Sequence, residues 1–163
     1  VSVTDELVAA NESFAASFTG GGLPGPPSRH VAVVACMDAR LDVYRVLGLG
    51  DGEAHVIRNA GGVVTDDVLR SLTISQRKLG TTEIVLLHHT KCGMATFDDD
   101  EFVAELAADA GQPPTWAPGA FSDTEQDVRE SLALVRACPF LPHTDAVRGF
   151  VYDVDTAALA EVA

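Results

Sequence analysis

Two short stretches of the chain carry side chains able to hold a metal ion: "ACMDAR" at residues 35–40 and "HHTKCG" at residues 88–93. Successive side chains of a strand point to opposite faces, so Cys36, Asp38 and Arg40 lean to one side where the first stretch leaves its strand. The same rule lets only one of His88 and His89 join a site. His89 lies three residues before Cys92 at a strand-to-turn junction, which lets both reach one ion. His88, of opposite parity, then faces the other side of the sheet as a core histidine donating to a backbone carbonyl. Two thiolates and one imidazole, from Cys36, His89 and Cys92, suit one Zn²⁺ per chain in a tetrahedral site. Three protein ligands with one position open is the catalytic arrangement. The fourth position falls to Asp38 or to water.

These residues need a frame to bring them together. Runs rich in Val, Ile or Phe at 31–36, 54–58, 83–89 and 148–154 read as strands, and the first three are apolar almost throughout, as strands of a parallel sheet covered on both faces are. Helical patterns lie between them. They run over 41–47, stopping at Gly48; over 65–79, stopping at Gly80; and over 98–110, with Phe102, Val103 and Leu106 on one face. A fourth opens with the capping box Ser122-Asp123-Thr124-Glu125 and ends before Pro139. The alternation predicts an α/β fold, a mostly parallel central sheet flanked by helices with right-handed crossovers. In such sheets ligands collect outside the carboxyl ends of the strands, where both metal-binding stretches lie. A helix over about 4–18, cut off by "TGGGLPGPPS" at 19–28, forms an N-terminal helical arm that packs back or lies across another subunit. Residues 1–163 thus read as one domain, with 1–28 as arm and linker.

With 163 residues, 47% of them hydrophobic, the chain is long enough for one sizeable core. Its formal net charge of −13 repels phosphate backbones and anionic lipid alike, and no basic cluster offsets it, so nucleic acid is excluded as a partner. No apolar run approaches the roughly 20 residues that cross a bilayer. The first ten residues are acidic and amphipathic, unlike a secretory signal, which leaves only a signal already removed. Three cysteines, an odd count, argue against a disulfide framework and for a reducing, cytoplasmic setting. Cys138 reads as a buried structural thiol, and His30, His55 and His143, near strand starts or in loops, are given no direct role. The glycines of "GLGDGEA" follow a helix and precede a strand, the reverse of a dinucleotide loop. The acidic run 98–101 suits the positive end of its helix.

"CMDAR", then "RNAGG" at 58–62, then "HHTKCG" resembles the beta class of carbonic anhydrases, whose Cys-x-Asp-x-Arg and His-x-x-Cys motifs bracket an Arg-Asn-Ala-Gly turn. The resemblance runs from about residue 31 to residue 154, with the arm in a matching position. It implies that Cys36, His89 and Cys92 ligate zinc and that Asp38 with Arg40 forms the catalytic dyad. It also implies that Gly61, Gly62 and the Gly93 amide line a pocket for CO₂ or bicarbonate, formed between subunits of a dimer or larger homo-oligomer. Lys91 stands where a small or acidic residue is more usual, and Met94 where a second glycine is common. These departures bear on pocket shape and leave the metal ligands untouched.

Zinc with two thiolates carries no formal net charge, so its water is less acidified than on zinc held by three histidines. Asp38, held by Arg40, can orient that water and accept its hydrogen bond, and the resulting hydroxide attacks CO₂ to give bicarbonate. Val63 and Val64 are placed beside the apolar substrate. One alternative is a carbonyl sulfide or carbon disulfide hydrolase using the same zinc, which spacing does not separate. Another is a non-catalytic domain with a closed Cys₂-His-Asp zinc. Arg40 argues against the second, because it pulls Asp38 off the metal. A zinc deaminase lacks its His-x-Glu and Pro-Cys-x-x-Cys signature.

Overall fold

The computed structural model describes residues 2–163; residue 1, the first of the expected arm, lies outside the described residues. Its frame is a five-stranded sheet in the order β2-β1-β3-β4-β5. β1 (Val31–Cys36) sits between β2 (Ala54–Asn59) and β3 (Glu83–His89), β4 (Val147–Tyr152) follows β3, and β5 (Leu159–Val162) closes the edge. The first four are parallel and β5 runs antiparallel to β4. Val31 opposes both Ala54 and Glu83, so β1 and β3 start level and end at the same edge of the sheet. The expected α/β architecture is present, with two departures. The last parallel strand stops at Tyr152 rather than at 154, and β5 was not foreseen. β5 is short with three exposed residues, and the turn before it is made by Ala157 at φ 61 rather than by a glycine.

The helices are α1 (Val3–Ser17), α2 (Val43–Leu47), α3 (Asp66–Leu79), α4 (Asp99–Ala110) and α5 (Thr124–Ala137). Side-chain caps fix where they begin. The Thr65 hydroxyl accepts from the Val68 amide, and the Asp98 carboxylate accepts from the amides of Asp100 and Glu101. α2 begins two residues later than expected because Asp42 caps it. α5 is capped by Asp123, accepting from the Gln126 amide, and not by Ser122 as the capping-box reading had it. A carboxylate binds helical amides by charge-assisted hydrogen bonds and satisfies the helix dipole as well.

α3 and α5 cover one face of the sheet, where Val34 and Leu86 meet Val68, Leu72, Val128 and Leu132. On the other face Val33, Ala35 and Leu87 pack with Leu41, Val43 and Met94. That second cover is incomplete: Val56, Val85 and Phe150 are only partly buried. α4 also buries no residue; Phe102 packs on Phe97 with ring centroids 5.2 Å apart instead of entering the core. α1, the expected arm, has no buried residue either, and Leu7 and Phe14 are 66% and 60% exposed. No helix among the described residues is long and apolar enough to cross a membrane.

α5 approaches β4 as closely as the backbone allows, because the strand presents Gly149 to it. A Cβ at that position would lie 2.4 Å from Val128 Cγ1 and 3.1 Å from Leu132 Cδ1, both in the packed core. Gly149→Ala is therefore expected to destabilise the fold by about 1–3 kcal/mol through overpacking. Thermal unfolding checks this, with a fall in Tm of several degrees as the expected result.

Candidate functional site

Cys36 is the last residue of β1 and His89 the last of β3, and the two strands are hydrogen-bonded neighbours. Cys92 follows one turn later, where Lys91 takes a left-handed φ of 54° and reverses the chain. The three donor atoms lie within 4.8 Å of one another, with the two sulfurs 3.8 Å apart, and all three residues are buried. The strand-parity argument for His89 over His88 thus agrees with the geometry.

The donor set fits a zinc ion on two further observations. His89 Nδ1 lies 2.9 Å from the Thr90 carbonyl, and the tautomer that donates there leaves a lone pair on Nε2. That Nε2 is buried and has no hydrogen-bond partner among the described residues, and a cation would satisfy it. The thiols give the second. The Cys36 thiol is pulled down to about 4, chiefly by the hydrogen bond from Cys92. The amides of Asp38 and Gly61 add to the effect, and burial opposes it. The same contact, together with burial, pushes Cys92 up. Two buried thiolates this close repel each other, so the second ionises only when a cation sits between them. Burial works against protonating His89, but the neighbouring Cys36 sulfur, the Thr90 carbonyl and the charge of Asp38 together outweigh it and raise its pKa.

Asp38 stands beside this group but outside it. Arg40 grips its carboxylate from both ends, Nε donating to Oδ1 at 2.9 Å and Nη2 to Oδ2 at 2.8 Å, and the Arg40 amide adds a third bond at 2.9 Å. These hydrogen bonds hold the Asp38 carboxyl well below the usual carboxylate range. Its Oδ2 is 3.7 Å from His89 Nε2, close enough to swing toward a metal if Arg40 released it.

Arg58 has a part that the sequence did not disclose, since it entered only as a letter in the turn motif. Its Nε donates to the Cys36 carbonyl at 2.9 Å and its Nη2 to the Asp38 carbonyl at 2.8 Å, which splints the backbone that carries both side chains. Its position at the end of a strand beside β1 was the available signal. Gly61 and Gly62 lie under the end of β1, both with positive φ. A Cβ on Gly62 would meet the Cys36 nitrogen at 2.8 Å and the Ala35 carbonyl carbon at 3.0 Å, so the turn can pass this close to the ligand only as glycine. Gly93 is exposed, with open space around it.

The remaining expectations divide. His88 does face the other side of the sheet, but its Nε2 pairs with the Asp127 carboxylate of α5 at 2.6 Å and not with a backbone carbonyl. α5 crosses β3 in a register that sets a carboxylate over the imidazole, and a buried ring favours a charged partner. Val63 and Val64 line a groove of about 780 Å³ on the α5 side with Trp116, Asp127 and Leu134, and none of the three metal donors lines it. Cys138 is buried in the core beside Val135 and Leu141. His30 Nδ1 bonds the Gly80 carbonyl and His55 Nδ1 the Ser75 hydroxyl, both away from the donor group.

An open, mostly parallel sheet with a Cys₂-His donor group at its carboxyl edge and a carboxylate held beside it by an arginine is the frame and donor chemistry of a zinc enzyme. Comparison with known proteins agrees. The sequence profile described as carbonic anhydrase matches residues 31–159. Beta-carbonic anhydrase 1 of Mycobacterium tuberculosis is 57% identical over 162 residues, covering 99% of each chain. The crystal structure of a carbonic anhydrase from Streptococcus mutans superposes with a TM-score of 0.93 at 44% identity, covering 100% of this chain and 99% of that one. A carbon disulfide hydrolase of Acidithiobacillus thiooxidans is more distant, 34% identical over 82% of this chain and 77% of its own length. The chain belongs to the beta-carbonic anhydrase family.

Three outcomes are expected for metal content, read by elemental analysis of purified protein. Cys92→Ser loses most of the bound zinc, whereas Cys138→Ser keeps one ion per chain. Gly62→Ala, which forces backbone against backbone at Cys36, also lowers zinc content.

Proposed function

We propose that the chain catalyses the reversible hydration of carbon dioxide to bicarbonate and a proton, with zinc held by Cys36, His89 and Cys92. The observation that carries this reading is the bidentate Asp38–Arg40 pair standing next to the three-donor group, because it keeps a fourth position open. When bound there, zinc supplies a Lewis acid that lowers the pKa of a water and so provides the nucleophile. Asp38 accepts a hydrogen bond from that water and aims it, and Arg40 keeps the carboxylate ionised and away from the metal. Gly61 and Gly62 form the turn that passes against the end of β1, and Gly93, exposed just after Cys92, is the third glycine we assign to the substrate pocket. A closed structural zinc is disfavoured by the same pair, since nothing in a closed site requires Asp38 to be withheld. Carbon disulfide hydrolysis is the second reading, and the higher identity and fuller coverage of the carbonic anhydrase relatives favour carbon dioxide.

We also propose a homo-oligomer, a dimer at least. α1 carries Val3, Leu7, Val8 and Phe14 in full view, while Val56, Val85 and Phe150 on the second sheet face are only partly covered in the same chain. The arm of a second copy supplies what that face lacks. Single-domain organisation with residues 1–28 as arm and linker goes with this arrangement. A reducing, cytoplasmic setting is supported by the three unpaired cysteines, two of them needed as thiolates.

Stopped-flow hydration of CO₂ by the zinc-loaded chain, compared with turnover of carbon disulfide and carbonyl sulfide, tests the reaction. Efficient turnover of the sulfur compounds with none of CO₂ would sink the first reading. The pH dependence has a definite sign. Asp38, depressed by Arg40, stays ionised throughout the working range and releases no proton on reaching the metal, whereas making the nucleophile from water releases one. kcat/KM should therefore rise from about pH 6 to about pH 9. Asp38→Ala should lower kcat/KM by about a hundredfold through loss of the positioned acceptor, and Arg40→Ala should be similarly impaired. Removing residues 1–29 should give monomers of reduced activity by analytical ultracentrifugation and assay.

A further inference from the structure

Lys91 has both of its polar ends engaged at the edge of the site. Arg40 Nη2 donates to two acceptors, Asp38 Oδ2 at 2.8 Å and the Lys91 carbonyl at 2.9 Å. That carbonyl faces Arg40 because Lys91 holds a left-handed conformation, one disfavoured for a residue with a Cβ. Neighbouring bonds keep it so: the Thr90 amide donates to the Tyr152 carbonyl at 2.8 Å, and the Val154 amide to the Thr90 hydroxyl at 3.1 Å.

The Lys91 ammonium reaches the opposite way, to the Asp155 carboxylate in the β4–β5 turn. Asp155 is itself held in place, since the Asp153 carboxylate accepts from the amides of Asp155 and Thr156 at 2.8 and 3.1 Å. Arg40 faces this turn across a cavity of about 260 Å³ that it lines with Asp42, Arg45, Tyr152 and Ala157. Its pKa is raised first by the hydrogen bond to Asp38, and the charge of Asp155 adds to the effect, so a second carboxylate lies within electrostatic reach of the guanidinium. The third carboxylate there, Asp42, is already committed to the Arg45 amide as the cap of α2.

We propose that Lys91 is a positioning residue for the Asp38–Arg40 pair: its carbonyl anchors the guanidinium, and its ammonium occupies Asp155 so that Asp155 does not draw Arg40 off Asp38. The inference rests on the reading that this pair keeps Asp38 from the metal. Without the ammonium, Arg40 divides its time between two carboxylates and Asp38 is released toward His89. Side chains this exposed, 63% for Lys91 and 61% for Asp155, compete on a scale of at most about 1 kcal/mol, so the expected effect is about fivefold and not a hundredfold.

The test compares zinc-loaded parent, Lys91→Ala, Lys91→Arg and the double variant Lys91→Ala/Asp155→Asn in two readouts: kcat/KM for CO₂, and the ¹H,¹⁵N resonance of Arg40 Nε–H, which reports its hydrogen bond to Asp38. Lys91→Ala should lower kcat/KM about fivefold and shift the Arg40 resonance. Lys91→Arg, which still neutralises Asp155, and the double variant, which has no carboxylate left to compete, should both return toward the parent. A double variant as impaired as Lys91→Ala would show that Lys91 matters only for the turn, and an Arg40 resonance identical in parent and Lys91→Ala would overturn the competition itself. If the parent fails to hydrate CO₂, the proposed function is wrong, and the resonance alone still decides whether Lys91 guards Arg40.

Discussion

Pairing of β1 with β3 is the constraint on which the rest of this molecule depends. Cys36 and His89 are more than fifty positions apart in sequence, and only a parallel, level pairing of their strands puts both at one edge of the sheet. The crossover through β2 and α3 makes the pairing possible, and the buried Val34, Leu86 and Leu72 hold it. Once the strands are side by side, the chemistry at their ends is nearly imposed. Two sulfurs and an imidazole crowd into a space where like charges cannot coexist without a cation.

Around that group the chain works by restraint more than by contact. Arg58 splints the backbone, Gly62 allows the turn to close against it, and Arg40 grips the carboxylate that stands beside the donor group. Each of these groups acts on the backbone or on a neighbour of the ligands. The local charge is also balanced in a chain of net charge −13: Arg40 is paired with Asp38 and Lys91 with Asp155, while Arg58 spends its donors on backbone carbonyls.

Much of this was legible in the sequence for a plain reason. Buried parallel strands are apolar on both faces, so polar residues appear abruptly where they end, and Cys36, Asp38 and His89 stand at such ends. The period-two rule sorted His89 from His88 without any structure. What stayed hidden depends on register between distant elements. Asp127 meets His88 only because α5 crosses β3 where it does, and nothing local to either residue announces it. Arg58 looked like part of a glycine turn because its partners are carbonyls, which have no letter in a sequence. β5 lacked both a glycine turn and an apolar face, and Asp123 displaced Ser122 as a cap because a carboxylate competes better than a hydroxyl for the same amides.

α1 has no buried residue in its own chain, and in the homo-oligomer we propose this changes what a single defective copy would do. There, a chain with a ruined metal site that kept its fold would still offer its helix to a neighbour and support it, whereas a chain with an intact site but a damaged arm would take cover from its neighbour and return none. Defects in the two parts of the molecule would then be inherited differently, the first complemented within a mixed assembly and the second imposed on whichever subunit it joins.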